Sequence, residues 1–120
     1  MTKFTPAPIK PLISLTELNK VDIRVGTITQ VIDIPRSTNL VKLVVDLGDH
    51  TRSIVAGIKQ ERKNPKEVEG LQALFVVNLE PKKIMGETSE GMLFDIGYSD
   101  KITPVLALPE RLVPDGTRAE

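Results

Sequence analysis

Two short stretches of this 120-residue chain combine residue types that could bind a ligand. The first, Asn78-Leu79-Glu80-Pro81-Lys82-Lys83, places an amide, a proline turn and two lysines after an apolar run. The second, Ser89-Glu90-Gly91-Met92, places a hydroxyl, a carboxylate and a thioether before the next apolar run. On one rim of a fold, these groups would present hydrogen bonds, positive charge and a soft apolar contact. The alternative interpretation is a polar hairpin loop with Met92 in the core.

The residues needed for catalysis are scarce. The chain has no cysteine and one histidine, His50, which lies in a predicted turn beside Asp49. Neighbouring turn residues are not expected to orient as a catalytic pair, and no activated serine is evident. The eight glycines match neither a Walker loop nor a dinucleotide fingerprint. We therefore expect no enzymatic activity, no metal site and no cofactor.

The composition, 40% hydrophobic and 27% charged, is typical of one globular domain. The 16 basic residues balance the 16 acidic ones, which excludes a uniformly polycationic coat. Residues 36–83 hold nine basic and six acidic residues, so a local anion-binding face is possible and an ordinary solvated surface is the alternative. No apolar run approaches the roughly 18 residues of a membrane span, and no signal-peptide core is evident. We therefore expect a cytoplasmic protein.

Aromatic residues are rare, at four in the whole chain. Phe75 and Phe94 occupy core-like strand positions. Domains that bind single strands stack bases on aromatic side chains, at about 1–3 kcal/mol per base. If this chain binds nucleic acid, it should therefore recognise the shape and phosphates of a folded RNA.

The elements that must position these residues are mostly strands. Three prolines make residues 1–13 an extended arm, and Ser14 with Glu17 predicts a helical turn over Leu15–Asn19. Hydrophobic alternation and turn residues then predict five strands and a short extended piece. The strands are Val21–Ile34, Leu40–Leu47, Arg52–Ala56, Leu71–Leu79 and Met92–Ile96, and the extended piece is Pro104–Leu108.

Two local signals indicate the architecture. The alternation changes phase at Gly26, which predicts a bulge or tight bend in the first strand. Asn64 and Pro65 predict the start of a short helix that Gly70 ends. A bent first strand and a helix between the third and fourth predict an all-β, five-stranded OB-fold barrel with a short helix and terminal extensions. The alternative, an SH3-like barrel, lacks that helical connection.

Five motifs, in order, resemble the EMAP-II-like tRNA-binding domain. They are Asp22-Ile23-Arg24-Val25-Gly26; Leu40-Val41-Lys42-Leu43 leading to Asp46 and Gly48; Ile54-Val55-Ala56-Gly57-Ile58; Asn78-Leu79 with Pro81-Lys82; and Ser89-Glu90-Gly91-Met92. That family includes free-standing tRNA-binding proteins, the C-terminal domain of bacterial methionyl-tRNA synthetase and CsaA-type secretion chaperones. The resemblance predicts a domain over residues 14–118, preceded by the arm of residues 1–13.

The resemblance implies an OB fold, a homodimer made through the terminal segments, and contact with the outside corner of L-shaped tRNA. Ser89 and Met92 match family positions implicated in tRNA contact. Many members have Ala-Asp-Lys-Leu where this chain has Ser37-Thr38-Asn39-Leu40, which removes one phosphate contact. The predicted RNA-binding residues are Lys42, Arg52, Asn78, Lys82, Lys83, Ser89, Glu90 and Met92.

Three functions follow from this resemblance. The leading hypothesis is a non-catalytic tRNA-binding homodimer, similar to the free-standing family members because no segment precedes the domain. One alternative is a CsaA-like export chaperone that holds unfolded peptide in an apolar groove. The other is an assembly module that docks on a synthetase.

Overall fold

The computed structural model describes residues 4–120, and its main elements are strands. Two short helical segments accompany them, α1 (Leu15–Leu18) and a 3-10 turn (Pro65–Val68). The strands are β1 (Ile23–Asp33), β2 (Val41–Asp46), β3 (Thr51–Ala56), β4 (Gln72–Val76), β5 (Lys82–Ile84), β6 (Glu87–Ser89), β7 (Met92–Leu93), β8 (Asp95–Ile96) and β9 (Val105–Leu106). An antiparallel sheet of order β3-β2-β1-β4-β7 curls so that β3 also contacts β6 and β7. The predicted OB-fold architecture is confirmed.

The long strand β1 takes part in both halves of the sheet. Residues 23–27 pair with β4, and residues 27–33 pair with β2. The register shift lies between Ile28 and Gln30, so the bulge predicted at Gly26 falls two to three residues later. Gly26 serves a different need, because a Cβ atom there would lie 2.6 Å from Val45 Cγ1. A glycine lets β1 approach β2 closely where the sheet curls.

The core lies inside this curled sheet. Leu43 and Val45 of β2 and Leu47 directly after it are buried on one face, as the alternation along this strand predicts, and Ile54 of β3 belongs to the same core. Strand β4 is buried on both faces, also as predicted, with Phe75 fully enclosed. It is shorter than the predicted Leu71–Leu79, since the ladder to β1 ends at Val76.

The predicted strand over Met92–Ile96 is wrong in phase and continuity. Residues 92 and 93 pair with β4, whereas residues 95 and 96 pair with β9, so the chain changes partners at Phe94. Leu93 is the buried residue, Phe94 is half-buried, and Met92 and Ile96 are exposed. The alternative that placed Met92 in the core is therefore wrong.

Both helix starts have the predicted caps. The Ser14 hydroxyl accepts a hydrogen bond from the Glu17 N–H at 3.1 Å, and the Asn64 side chain accepts one from the Lys66 N–H at 3.2 Å. The second helix is a single 3-10 turn that buries Val68 under the barrel. Gly70 ends it with φ of 89°, a left-handed conformation that glycine adopts without strain.

The two chain ends differ in their contacts. Residues 4–13 of the predicted arm are exposed and form no helix or strand, while residues 1–3 lie outside the described residues. The C-terminal segment instead hydrogen-bonds to β1 through Val25 N–H to Thr117 O at 2.9 Å, Gly116 N–H to Val25 O at 2.7 Å and Ala119 N–H to Ile23 O at 2.8 Å. Within the described part of the chain, no helix has the length and apolar character that crossing a lipid bilayer requires.

Candidate nucleic-acid interface

A small hairpin formed by β5 and β6 carries the two predicted lysines. Lys82 lies opposite Ser89, and Lys83 lies opposite Thr88. The connecting turn has two residues, Met85 with φ of 52° and Gly86 with φ of 82°. Two left-handed residues are typical of a type I′ turn, in which Asn-Gly is the favoured pair. A methionine at the first position costs about 1–3 kcal/mol of backbone strain.

The hairpin is anchored to the barrel at its tip. Lys42 Nζ lies 3.0 Å from Glu87 Oε1, and the Arg36 guanidinium donates to the Met85 carbonyl at 3.0 Å. These residues line a depression of about 140 Å³ beside Pro35. The turn is therefore fixed in position, with the Met85 side chain 42% exposed. We call the exposed group of Arg36, Lys82, Lys83 and Met85 the hairpin face.

Ser89 and Glu90 close the barrel against β3. Ser89 is 5% exposed, and its hydroxyl accepts from the Val55 N–H and donates to the Gly91 carbonyl, both at 3.0 Å. The Glu90 carboxylate accepts from the Ser53 N–H at 2.9 Å, and the Glu90 N–H donates to the Ser53 carbonyl at 2.8 Å. The N–H groups of Ser53 and Val55 lie in β3, at the edge of the sheet, and the side chains of Glu90 and Ser89 provide their hydrogen-bond acceptors.

Arg52 binds the same junction from β3. Its guanidinium donates to the Val77 carbonyl and, at 3.1 Å, to the Glu90 carbonyl. Its Nε donates to His50 Nε2 at 3.0 Å, and His50 Nδ1 lies 2.6 Å from Asp49. The hydrogen bond from His50 lowers the pKa of Asp49. The expectation that Asp49 does not orient His50 is wrong, but Arg52 occupies the ring nitrogen that a catalytic base would use. We call Arg52, Ser53, Val55, Ser89 and Glu90 the closing seam.

Asn78 also faces the fold. Its amide oxygen accepts from the Asp22 N–H at 2.8 Å, and its amide nitrogen donates to the Lys20 carbonyl at 2.6 Å. Asp22 in turn holds Arg24 at 2.7 Å, and Arg24 donates to the Gly116 carbonyl at 3.0 Å. The hydrogen bond from Arg24 is the main cause that lowers the pKa of Asp22. The Asp-x-Arg-x-Gly motif therefore joins β1 to the C-terminal segment.

The structure divides the eight predicted site residues by whether their side chains have partners within the fold. Lys82, Lys83 and Met92 point outward, and within residues 4–120 neither lysine has an ion-pair partner. The side chains of Arg52, Asn78, Ser89 and Glu90 are used within the fold, and Lys42 pairs with Glu87. The buried Ser89 hydroxyl is unavailable for direct RNA contact, contrary to the position that the resemblance implies.

Arg36 and Met85 of the hairpin face are not among the RNA-binding residues predicted from the sequence. The signal was present, because Met85-Gly86 separates two three-residue runs, Lys-Lys-Ile and Glu-Thr-Ser, as a two-residue hairpin loop would. Among the described residues, no three His, Cys, Asp or Glu side chains lie close enough together to hold a metal ion.

The curled barrel, with its helical turn between β3 and β4, defines the chain as an OB-fold domain. The family model described as "Putative tRNA binding domain" matches residues 23–118. The chain therefore belongs to the tRNA-binding domain family, as its five motifs predict.

Curated relatives are methionine–tRNA ligases. The chain is 38% identical over 109 residues to that of Archaeoglobus fulgidus, covering 91% of this chain and 16% of the ligase. It is 46% identical over 81 residues to that of Methanocaldococcus jannaschii, covering 68% of this chain and 12% of the ligase. The chain thus spans about one sixth of the length of the first of these enzymes.

Solved structures of similar length share the whole fold. A MetRS related protein from Pyrococcus horikoshii is 37% identical with a TM-score of 0.83, covering 92% of this chain and 100% of that one. The chaperone CsaA from Bacillus anthracis is 27% identical with a TM-score of 0.75, with the same coverage of both chains.

Proposed function

We propose that this chain is a non-catalytic tRNA-binding protein that acts in the cytoplasm as a homodimer. Membership of the tRNA-binding domain family over residues 23–118 is the observation that carries the proposal. The hairpin face supports it, because its lysines have no carboxylate partner within residues 4–120 and are free to bind phosphates. The conserved geometry of a folded RNA then determines which phosphates can be reached together.

Recognition of folded RNA fits the positions of the aromatic residues. Phe75 is enclosed in the core and Phe94 is half-buried, so neither offers a stacking surface. The exposed rings of Phe4 and Tyr98 lie outside the hairpin. Without a row of exposed rings, single-stranded nucleic acid gains little stacking energy. Shape and phosphate spacing remain as the means of recognition.

A homodimer would cover the apolar residues at the chain ends. Ile9, Leu12 and Leu112 are almost fully exposed. Burying such side chains contributes about 1.5–3 kcal/mol each, so pairing two copies through these segments is favourable. Light scattering at micromolar concentration should give twice the chain mass of 13.2 kDa. A species of the single-chain mass alone would contradict the dimer.

Binding is tested with purified protein, total tRNA and a single-stranded oligonucleotide of tRNA length at two salt concentrations. Folded tRNA should bind more tightly than the oligonucleotide at both. The affinity should fall as salt rises, because lysine–phosphate contacts release counterions. Equal affinity for the oligonucleotide would contradict recognition of shape, and no binding of tRNA would contradict the proposed function.

A second candidate function is that of a chaperone. The likeness to CsaA structures from Bacillus anthracis and Picrophilus torridus, with TM-scores of 0.75 and 0.78, favours it. The exposed apolar residues of α1, Leu15 and Leu18, would then hold unfolded peptide. The same binding assay, with a labelled unfolded apolar peptide added, decides between the two. Peptide binding without tRNA binding would select the chaperone.

A further inference from the structure

We propose that Met85, at the tip of the β5–β6 hairpin, is a contact residue for folded RNA that determines how well the hairpin fits its target. Its side chain would pack on a ribose or base edge while Lys82 and Lys83 bind phosphates on opposite sides of the hairpin. This inference rests on the proposed function and goes beyond it, because the motifs point to Ser89 and Met92 and leave Met85 out.

The first support is the conformation of the turn. Met85 has φ of 52°, in the left-handed region that favours glycine and asparagine. The side chain is 42% exposed, so its burial within the fold contributes little free energy to offset the backbone strain. A strained residue with a large exposed side chain is typical of a position where the side chain meets a ligand.

The second support is that two contacts with the barrel fix the conformation of the hairpin tip. The Arg36 guanidinium donates to the Met85 carbonyl at 3.0 Å, and Lys42 pairs with Glu87 at 3.0 Å on the following strand. The next residue, Gly86, leaves space for the guanidinium, since a Cβ atom there would lie 3.1 Å from Arg36 Nη2. A turn fixed before binding loses little conformational entropy when the ligand arrives.

The third support is the charge around the tip, which selects the partner. Arg36, Lys82 and Lys83 are exposed cations around the methionine, and the two lysines, as consecutive strand residues, project from opposite sides of the hairpin. An RNA backbone offers alternating phosphates and riboses, which match a cationic surface with an apolar centre. An unfolded apolar peptide gains nothing from the three cations, so RNA is the occupant that this surface favours.

The test compares three variants with the wild-type protein for tRNA affinity, salt dependence and melting temperature. Met85→Asn and Met85→Gly remove the thioether and suit the left-handed turn, whereas Met85→Leu keeps an apolar side chain there. Met85→Asn and Met85→Gly should weaken tRNA binding about fivefold, the equivalent of roughly 1 kcal/mol. Met85→Leu should stay within about twofold of the wild type. None of the three changes a charge, so the salt dependence should be unaltered.

The melting temperature separates contact from folding. Met85→Asn should melt no lower than the wild type, because it relieves strain in the turn. Weaker tRNA binding by a protein of undiminished stability would support the contact. Wild-type affinity of Met85→Asn for tRNA would overturn it and leave the proposed function standing. Loss of peptide binding in place of tRNA binding would also overturn it, and failure of the wild type to bind tRNA would overturn the proposed function itself.

Discussion

The closing seam and the hairpin face occupy neighbouring positions in the chain yet use polar residues in opposite ways. In the seam, Ser89 and Glu90 are committed to backbone groups of β3. On the hairpin face, Lys82 and Lys83 have no ion-pair partner within residues 4–120. The contrast shows that a polar motif does not by itself mark a binding surface. What distinguishes the two is whether the side chain already has a partner.

Removing the seam's side chains should give the largest effect. The double variant Ser89→Ala, Glu90→Ala leaves the N–H groups of Val55 and Ser53 without their partners. At about 1–3 kcal/mol for each of the two unsatisfied groups, unfolding by urea should show a loss of about 2–6 kcal/mol. The salt dependence of tRNA binding should not change, because no phosphate contact is removed. Unchanged stability would show that the seam does not hold the barrel closed.

The pair of carboxyl groups of Glu61 and Asp95 differs from the closing seam, because these buried polar groups lack full hydrogen bonding within residues 4–120. Glu61, with its side chain 7% exposed, faces Asp95, and within residues 4–120 an oxygen of each lacks a hydrogen-bond donor. Burial, followed by the neighbouring carboxyl of Asp95, raises the pKa of Glu61 to about 7, against the attraction of Arg62. The folded protein therefore holds a proton that the unfolded chain releases near pH 4.5.

This junction makes stability depend on pH. A raised carboxyl pKa means that the folded state is favoured at low pH and loses stability as pH rises from about 4.5 to about 7. Glu61→Gln keeps a neutral side chain at every pH. It should therefore stabilise the protein by on the order of 1–2 kcal/mol at pH 8 and by little at pH 4. Urea unfolding at both pH values checks this, and an equal change at both would contradict a raised pKa of Glu61 in the folded protein.

A single lysine of the hairpin face should affect binding alone. If the hairpin face binds tRNA as proposed, Lys82→Ala removes one phosphate contact and should flatten the slope of log affinity against log salt by about 0.7–0.9, for all tRNAs alike. Stability should not change, because Lys82 is exposed. The matched control is Arg111→Ala, an exposed cation whose ion pair is with its neighbour Glu110. An equal slope change in the control would show that net charge, and not the hairpin, determines binding.

The ion pair between Lys42 and Glu87 should give the smallest effect. Both side chains are partly exposed, and such pairs contribute about 0.2–1 kcal/mol. Lys42→Gln should therefore lower the free energy of unfolding by less than about 1 kcal/mol. Hydrogen exchange of the Glu87 amide should become faster as the hairpin loosens. Unchanged exchange would assign the anchoring of the tip to Arg36 alone.

The sequence predicts those parts of the fold that depend on local pattern. The alternation of Leu43, Val45 and Leu47 predicts the buried face of the second strand, and Ser14 and Asn64 predict both helix starts. The bent first strand and the short helix between the third and fourth strands predict the barrel. Each of these features is determined by residues close together in the sequence, so a short stretch of sequence is sufficient to predict it.

The parts that escape prediction depend on partners distant in the chain. The strand over residues 92–96 breaks because its two ends pair with different strands. Ser89 is buried because Val55, 34 residues earlier, needs an acceptor. Such features become visible only when the sheet is assembled. The β5–β6 hairpin is different, because its signal is local but weakened by Met85 at the position where asparagine usually marks the turn.

The C-terminal segment along β1 has a consequence for the protein's resistance to aggregation. Residues 116–119 hydrogen-bond to the first part of β1 on the side that β4 leaves open. An uncovered strand edge is a template on which other chains add and aggregate. The segment therefore prevents other chains from pairing with this edge of β1, and the hydrogen bond from Arg24 to the Gly116 carbonyl holds it in place. A bulky group attached directly after residue 119 would loosen this segment and expose the strand edge.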